Sequence, residues 1–165
     1  MGPDRARDVV SEQVGAVDEA IATLVDLSRG IYPQALTDDG VGAALRAVLN
    51  ASTIPVTVDD HGLGRLPEEI EAALYFCAVE AVQNAVKHAG ASAITVDLSS
   101  DGLQVSLEVR DDGSGFSPDG DAGGHGLDNM RDRIDAVHGS LSLRSAPGHG
   151  ATVQAAVPLE LEVAS

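Results

Sequence analysis

The sequence predicts an α/β fold, a two-layer α/β sandwich preceded by an amphipathic helix. Apolar residues recur at helical spacing in some segments and alternate with polar ones in others. The later strand-like runs come in pairs joined by short Gly/Asp turns, which puts neighbouring strands side by side with helices on one face. At 165 residues the chain is long enough for one domain with a full core. With aromatics at only 2%, that core must be built from Val, Leu, Ile and Ala.

Taken in order, Val10, Val14, Val17, Ile21, Leu24 and Ser28 form one stripe of a helix over about residues 8 to 29, ending near Gly30 and before Pro33. Such a stripe needs cover from the domain or from a second copy. Thr37-Asp38-Asp39 is expected to cap a shorter helix through Asn50, with Leu45, Val48 and Leu49 inward. Val56 and Val58 alternate with polar residues between Pro55 and Asp60, the pattern of an edge strand. Pro67 opens a long helix, with Glu68 and Glu69 placed favourably for its dipole. That helix runs to about His88, ends at Gly90, and turns Ile70, Leu74, Cys77, Ala78, Ala81 and Ala85 inward.

Ala93–Leu98 and Leu103–Val109 then read as two strands around Ser99-Ser100-Asp101-Gly102. The Gly/Asp-rich stretch from Phe116 to Gly124 has little to bury and is expected to form a lid. Leu127, Met130, Ile134 and Val137 return to helical spacing. Leu141 and Leu143 open a strand, Pro147-Gly148-His149-Gly150 turns it, and Thr152–Val157 comes back.

A net charge of −16 argues against partners such as nucleic acid or anionic lipid. Cys77 is the one cysteine, so an internal disulfide is excluded, and its apolar setting suits a core thiol in a reducing, cytoplasmic compartment. No apolar run reaches the roughly 18 residues of a membrane span, and no signal peptide opens the chain. Met1-Gly2-Pro3 reads as a trimmed boundary rather than part of a fold.

Three groups of residues carry chemistry. Glu80 and Asn84 share one helix face; an amide carbonyl suits Mg²⁺ when phosphates complete its shell, and the carboxylate is placed to polarise a proton donor. Lys87 and His88 extend that cluster to the helix end. Asp111-x-Gly113-x-Gly115 follows a strand, where a carboxylate can accept the exocyclic amine proton of adenine and glycines let backbone approach a flat ligand. A calcium loop is excluded, because Gly113 and Ala122 fall where ligands are needed. Gly124-x-Gly126 opens a helix and offers free N–H groups to phosphate, with Arg131 and Arg133 nearby. Metal-protease, zinc-ribbon and nucleophile-elbow patterns are absent from the sequence.

In this order, Glu80-x-x-x-Asn84, Asp111-x-Gly113-x-Gly115-Phe116, Gly124-His125-Gly126-Leu127 and Gly148-His149-Gly150 resemble the N, G1, G2 and final Gly boxes of the gyrase/Hsp90/histidine-kinase/MutL ATPases. Asn84-Ala85-Val86-Lys87-His88-Ala89, Gly126-Leu127-Asp128-Asn129-Met130-Arg131 and Arg29-Gly30-Ile31-Tyr32-Pro33 are similar to the nitrate- and DesK-like branch of sensor histidine kinases. The likeness covers about residues 20 to 158. It implies the Bergerat-type fold, ATP and Mg²⁺ as cofactors, and transfer of the γ-phosphate to a protein histidine. Asn84 would bind the metal and Asp111 the adenine. Gly113, Gly115, Phe116, Gly124, His125, Gly126, Leu127 and Thr152 would shape the nucleotide site, and Glu80, Lys87 and His88 would serve catalysis.

Two departures stand out. Ala151 occupies a position that often carries threonine, with Thr152 next to it, and the Arg-x-x-His-Asp acceptor motif is missing. The resemblance therefore implies a catalytic piece of a longer kinase, soluble or membrane-anchored. Residues 1–33 would be the remnant of a dimerisation helix and linker, 34–160 the ATP-binding domain and 161–165 a tail. Its expected partners are a response regulator and the acceptor helix of the full-length, homodimeric kinase. The piece itself is expected to be a monomer or weak dimer. The alternatives are an anti-sigma-factor serine kinase, which shares the boxes, and a nucleotide-dependent binding module without chemistry.

Overall fold

The computed structural model describes residues 33–117 and 125–159. The expected helix over residues 8 to 29, residues 118–124 of the expected lid, and the tail lie outside the described residues. The chain divides into two units, Met1–Gln34 and Ala35–Ser165, and the second carries the fold described below.

Its elements are α1 (Gln34–Asp39), α2 (Val41–Leu49), β1 (Val56–Asp59), α3 (Glu68–Asn84), β2 (Ile94–Ser100), β3 (Gln104–Asp111), α4 (His125–Asp135), β4 (Ser140–Ser145) and β5 (Ala151–Pro158). The strands form a five-stranded sheet in the order β1-β2-β3-β5-β4. β1 runs parallel to β2 and the remaining neighbours are antiparallel, so α3 serves as the crossover that a parallel pair requires. β1 lies at one edge, as its alternation predicts. The expected two-layer architecture is present.

Register sets the faces of the sheet. Val96, Leu98, Leu107, Val109, Val153 and Ala155 fall on the inner face and are buried. Thr95, Asp97, Glu108, Arg110, Thr152 and Gln154 alternate with them and point outward, where Gln154 donates to Glu108 at 2.6 Å. Leu103 departs from the expected strand. β3 starts one residue later, and Asp101 accepts the N–H groups of Leu103 and Gln104 at 2.9 Å each, closing a turn that leaves Leu103 69% exposed.

α3 is apolar nearly all round: Ala73 to Val79, Ala81 and Val82 are buried. A helix of that kind needs cover on every side. It packs on β3 and β5 and is flanked by α2 and α4. Phe76 joins it to α4, with its ring edge-on to Tyr75 at 5.2 Å and the Arg133 guanidinium 4.7 Å above it. Pro67 stands at the N-cap, just before the first turn. After Asn84 the helix widens into one π-helical turn, Ala85–Ala89, and ends at Gly90 in the left-handed conformation.

The helix expected to be capped by Thr37-Asp38-Asp39 is instead two helices. Those residues lie inside α1, and Gly40, at φ 90°, breaks the chain between α1 and α2. An L side chain is strained at that φ, and a Cβ there would also press on Arg65 Cδ at 3.1 Å. The break rotates α2 so that Leu45 and Leu49 are buried while Val48, expected inward, is 41% exposed.

Arg65 meets a carboxylate that the sequence gives no reason to expect in the core. Glu71, only 1% exposed, accepts Arg65 Nε and Nη2 at 3.0 Å each and the Leu66 N–H at 3.0 Å. The same guanidinium reaches the carbonyls of Leu36 and Asp38 at 3.4 Å, so one buried carboxylate ties α1, the loop after β1 and α3 together. Arg46 adds a second tie, from α2 to Asp60 at 2.8 Å, and holds that carboxyl below the usual range.

Removing the buried acid leaves the Leu66 N–H without its acceptor and takes the counter-charge from the Arg65 guanidinium. Glu71→Ala is expected to cost about 3 kcal/mol, seen by calorimetry as a melting point lowered by roughly 6 to 12 °C. His61 generates a pH prediction. Its Nε2 lies 2.7 Å from Asp97, with Asp59 at 3.6 Å, and the Asp97 hydrogen bond followed by the charge of Asp59 raises its pKa above 6.5. The protonated ring is the form the fold favours. Its stabilisation is full below the unfolded pKa and fades as pH rises through the folded one. Melting points of the parent and His61→Gln should therefore differ more at about pH 5.5 than at about pH 8.5.

Candidate functional site

A cleft of about 640 Å³ opens between the carboxyl-terminal end of α3, the turn after β3 and the start of α4. Ala81, Ala85 and Ala89 line it from α3 and the π turn. Val109, Leu143, Ala151 and Val153 line it from the sheet, and Leu127 and Met130 from α4. Alanine methyls on the helix side leave room for a flat ring against the branched side chains opposite.

Polar groups enter this apolar space at few points. Asp111 ends β3 on its inner face, 8% exposed, and its Oδ1 accepts the Gly113 N–H at 2.9 Å. One carboxylate oxygen is thus oriented by its own turn, and the group lies within the cleft wall. Asn84 and His88 line the wall from α3 and the π turn. Phe116, 37% exposed, and Ser117 form the rim where the expected lid begins.

The glycines do more than clear space for a ligand. A Cβ at Gly113 would collide with the Ala89 carbonyl oxygen, and one at Gly115 with the Ala146 carbonyl oxygen. At Gly150 a Cβ would strike the Asp111 carbonyl oxygen. Three loops therefore touch backbone to backbone, joined by hydrogen bonds from Ser114 N to Ala89 O at 2.8 Å and from Gly148 N to Ser114 O at 2.6 Å. Ser145 Oγ accepts the Phe116 N–H at 2.9 Å and donates to Gly150 O at 2.8 Å, completing the stitching.

Of the residues expected in the site, Asn84, His88, Asp111, Gly115, Phe116, Gly126 and Leu127 meet around the cleft. Gly113 lies behind it as packing. Glu80 is half-buried beside the first turn of α4: a Cβ at Gly126 would collide with Glu80 Oε1 and come within 3.4 Å of the Asn84 amide. A carboxylate there suits the positive end of the helix dipole. Lys87 is exposed, and neither it nor His125 lines the cleft. Thr152 must be corrected: strand alternation turns it to the outer face, with Arg110 and Arg144 as its ladder partners, and Ala151 and Val153 take the cleft side. Arg133, expected near the phosphate loop, places its guanidinium over the Phe76 ring. Gly124 lies outside the described residues.

Sequence reasoning missed the apolar walls and one acid. Asp112 accepts the Ser92 and Ala93 N–H groups at 2.8 and 3.1 Å and also the Ser92 hydroxyl. These donors, the hydroxyl first, hold its carboxyl below the usual carboxylate range. The doublet Asp111-Asp112 at a strand end was the available signal, because alternation sends adjacent acids to opposite faces. Cys77 is confirmed as a buried thiol. Burial, with the charge of Glu80, pushes it up to about 12, which keeps it protonated and unreactive.

Among the described residues no group of three or more His, Cys, Asp or Glu side chains can hold a metal, and no helix is long and apolar enough to cross a membrane. A cation here would rest on one neutral amide, that of Asn84, completed by water and ligand oxygens. This donor set fits Mg²⁺, which keeps much of its hydration and takes phosphate oxygens readily.

Comparison with known proteins agrees with this geometry. Residues 69–161 match the family described as histidine kinase-, DNA gyrase B-, and HSP90-like ATPase. The chain is 35% identical over 164 residues to the sensor histidine kinase MctS of Rhizobium johnstonii, covering 94% of this chain and 35% of that protein. It is 30% identical over 150 residues to the histidine-protein kinase/phosphatase DegS of Brevibacillus brevis, covering 86% of this chain and 39% of that one. It spans little more than a third of the length of these relatives. Among solved structures, the blue-light activated histidine kinase of Erythrobacter litoralis aligns over 72% of this chain and 42% of its own, with a TM-score of 0.64 and 25% identity. The family match extends over more than half of the sequence and takes in the helix, strands and turns that build the cleft: the chain belongs to the histidine kinase-, DNA gyrase B- and HSP90-like ATPases.

Proposed function

We propose that this chain is the ATP-binding catalytic part of a two-component sensor histidine kinase and transfers the γ-phosphoryl group of ATP to a histidine outside the chain. The observation that carries this reading is the meeting of Asp111, Asn84 and His88 in one apolar cleft beside the start of α4. The adenine ring lies among the alanines and branched side chains, and Asp111 accepts its exocyclic amine proton. Asn84 would hold a magnesium ion, which neutralises triphosphate charge when bound. His88 and the free N–H groups at the start of α4 face the phosphates.

In the transfer, an imidazole nitrogen of the acceptor forms the N–P bond as the bond between the β,γ-bridging oxygen and phosphorus breaks, and ADP leaves. Little covalent work falls to the protein, whose task is to position and to neutralise charge. Glu80, set one turn before Asn84, is the carboxylate we assign to polarising the acceptor ring. Residues 1–33 are read as the remnant of a dimerisation helix and linker, 34–160 as the ATP-binding domain, and 161–165 as a tail. A response regulator and the acceptor helix of a homodimeric parent are the partners. The sensor histidine kinases among its relatives favour this reading over a serine kinase.

Calorimetric titration with Mg-ATP tests the site. Asp111→Asn is expected to weaken ATP by about tenfold or more, since loss of a charge-assisted bond costs roughly 1.5–3 kcal/mol. Equal affinity in the variant would remove Asp111 from adenine recognition. Incubation with an acceptor-helix fragment and labelled ATP tests the chemistry: acid-labile phosphohistidine is expected, and acid-stable phosphoserine would overturn the assignment. In the same assay Glu80→Gln should slow transfer by roughly a hundredfold while ATP still binds, the usual scale for a lost general base.

A further inference from the structure

Asp111 and Asp112 are neighbours in sequence and opposites in space. Asp111 ends β3 on the buried face and enters the cleft, whereas Asp112 is exposed and turned to the other side. There it collects the Ser92 N–H at 2.8 Å, the Ala93 N–H at 3.1 Å and the Ser92 hydroxyl, while its own N–H donates to Ala93 O at 3.4 Å. Ser92 and Ala93 belong to the short link between the end of the π turn and β2. On the same seam, Gly113 packs on Ala89 and Ser114 N donates to Ala89 O at 2.8 Å. The turn bearing Asp111 is thereby tied to the segment bearing Asn84 and His88.

We infer that Asp112 is a positioning residue for nucleotide binding, a latch with Ser92 that sets the spacing between the Asp111 wall of the cleft and its Asn84–His88 wall. This rests on reading the cleft as a nucleotide site. Asp112 touches no ligand; it acts through the two walls it joins. The orientation of Asp111 does not depend on it, because the Gly113 N–H holds Asp111 Oδ1 at 2.9 Å and the β2–β3 ladder pairs Asp111 with Ile94. The latch therefore acts chiefly on a ligand whose phosphates must reach Asn84 and His88 while its base is held at Asp111, and much less on one that carries the base alone.

ATP and adenosine are those two probes, titrated against the whole chain by calorimetry and by chemical-shift perturbation. Asp112→Ala is expected to weaken ATP by about tenfold, the scale of losing charge-assisted hydrogen bonds, and to change adenosine by less than about twofold. Asp112→Asn keeps an acceptor for the backbone N–H groups and should restore ATP to within about threefold of the parent. Ser92→Ala, which removes only the hydroxyl and serves if Asp112→Ala fails to fold, should cost ATP about threefold. Unchanged ATP affinity in a folded Asp112→Ala or Ser92→Ala chain overturns the inference alone. Equal losses for ATP and adenosine also overturn it, since the residue would then act only on the fold of its own turn. A parent chain that binds no ATP overturns the proposed function together with the latch.

Discussion

Burial of α3 on every side is the constraint from which the rest of the domain follows. A helix with apolar residues around its circumference is stable in water only when a sheet covers one side and helices cover the others. α2 and α4 supply that cover, and the crossover through α3 makes β1 parallel to β2 where every other pairing is antiparallel. Each end of the helix then has a separate task. Glu71 at the amino end gathers α1 and the loop after β1, while Asn84 and the π turn at the carboxyl end face the cleft. Structural and functional polar groups on one buried helix are thus kept more than about three turns apart.

The cleft is a by-product of that packing made useful by small residues. Alanines on the helix side hold the wall back from the sheet, and glycines in three turns let backbones meet where side chains would force them apart. Backbone contacts of this kind are stiff, because no rotamer change relieves them. A site made from three loops gains the definition usually supplied by regular elements.

The acidity of the chain acquires a local meaning against this background. With 26 Asp and Glu to 10 Lys and Arg, repulsion is the general condition, and several acids are taken up by hydrogen bonds. Glu71, Asp60, Asp101 and Asp112 each hold a loop or helix end in place. Acids that accept backbone N–H groups satisfy donors that turns would otherwise leave to water. Negative charge here is a tool for fixing loops as well as a means to solubility.

Periodicity and glycine placement by themselves determined the two-layer class, most of the strands, the long helix and its end at Gly90. They also yielded Asn84, Asp111, Gly115 and Gly126 among the residues that reach the cleft, because short-range spacing on a helix or a strand end is a local property. Tertiary structure decided what spacing cannot encode. Gly40 split one expected helix and turned Val48 outward, since only the packed position of Arg65 shows how little room that turn has. Thr152 left the site because register, fixed by pairing with β3 and β4, gives alternate residues to opposite faces. Glu71 went into the core because Arg65, six residues earlier in the loop before α3, folds back to compensate its charge, and spacing alone does not say that this loop brings the two together.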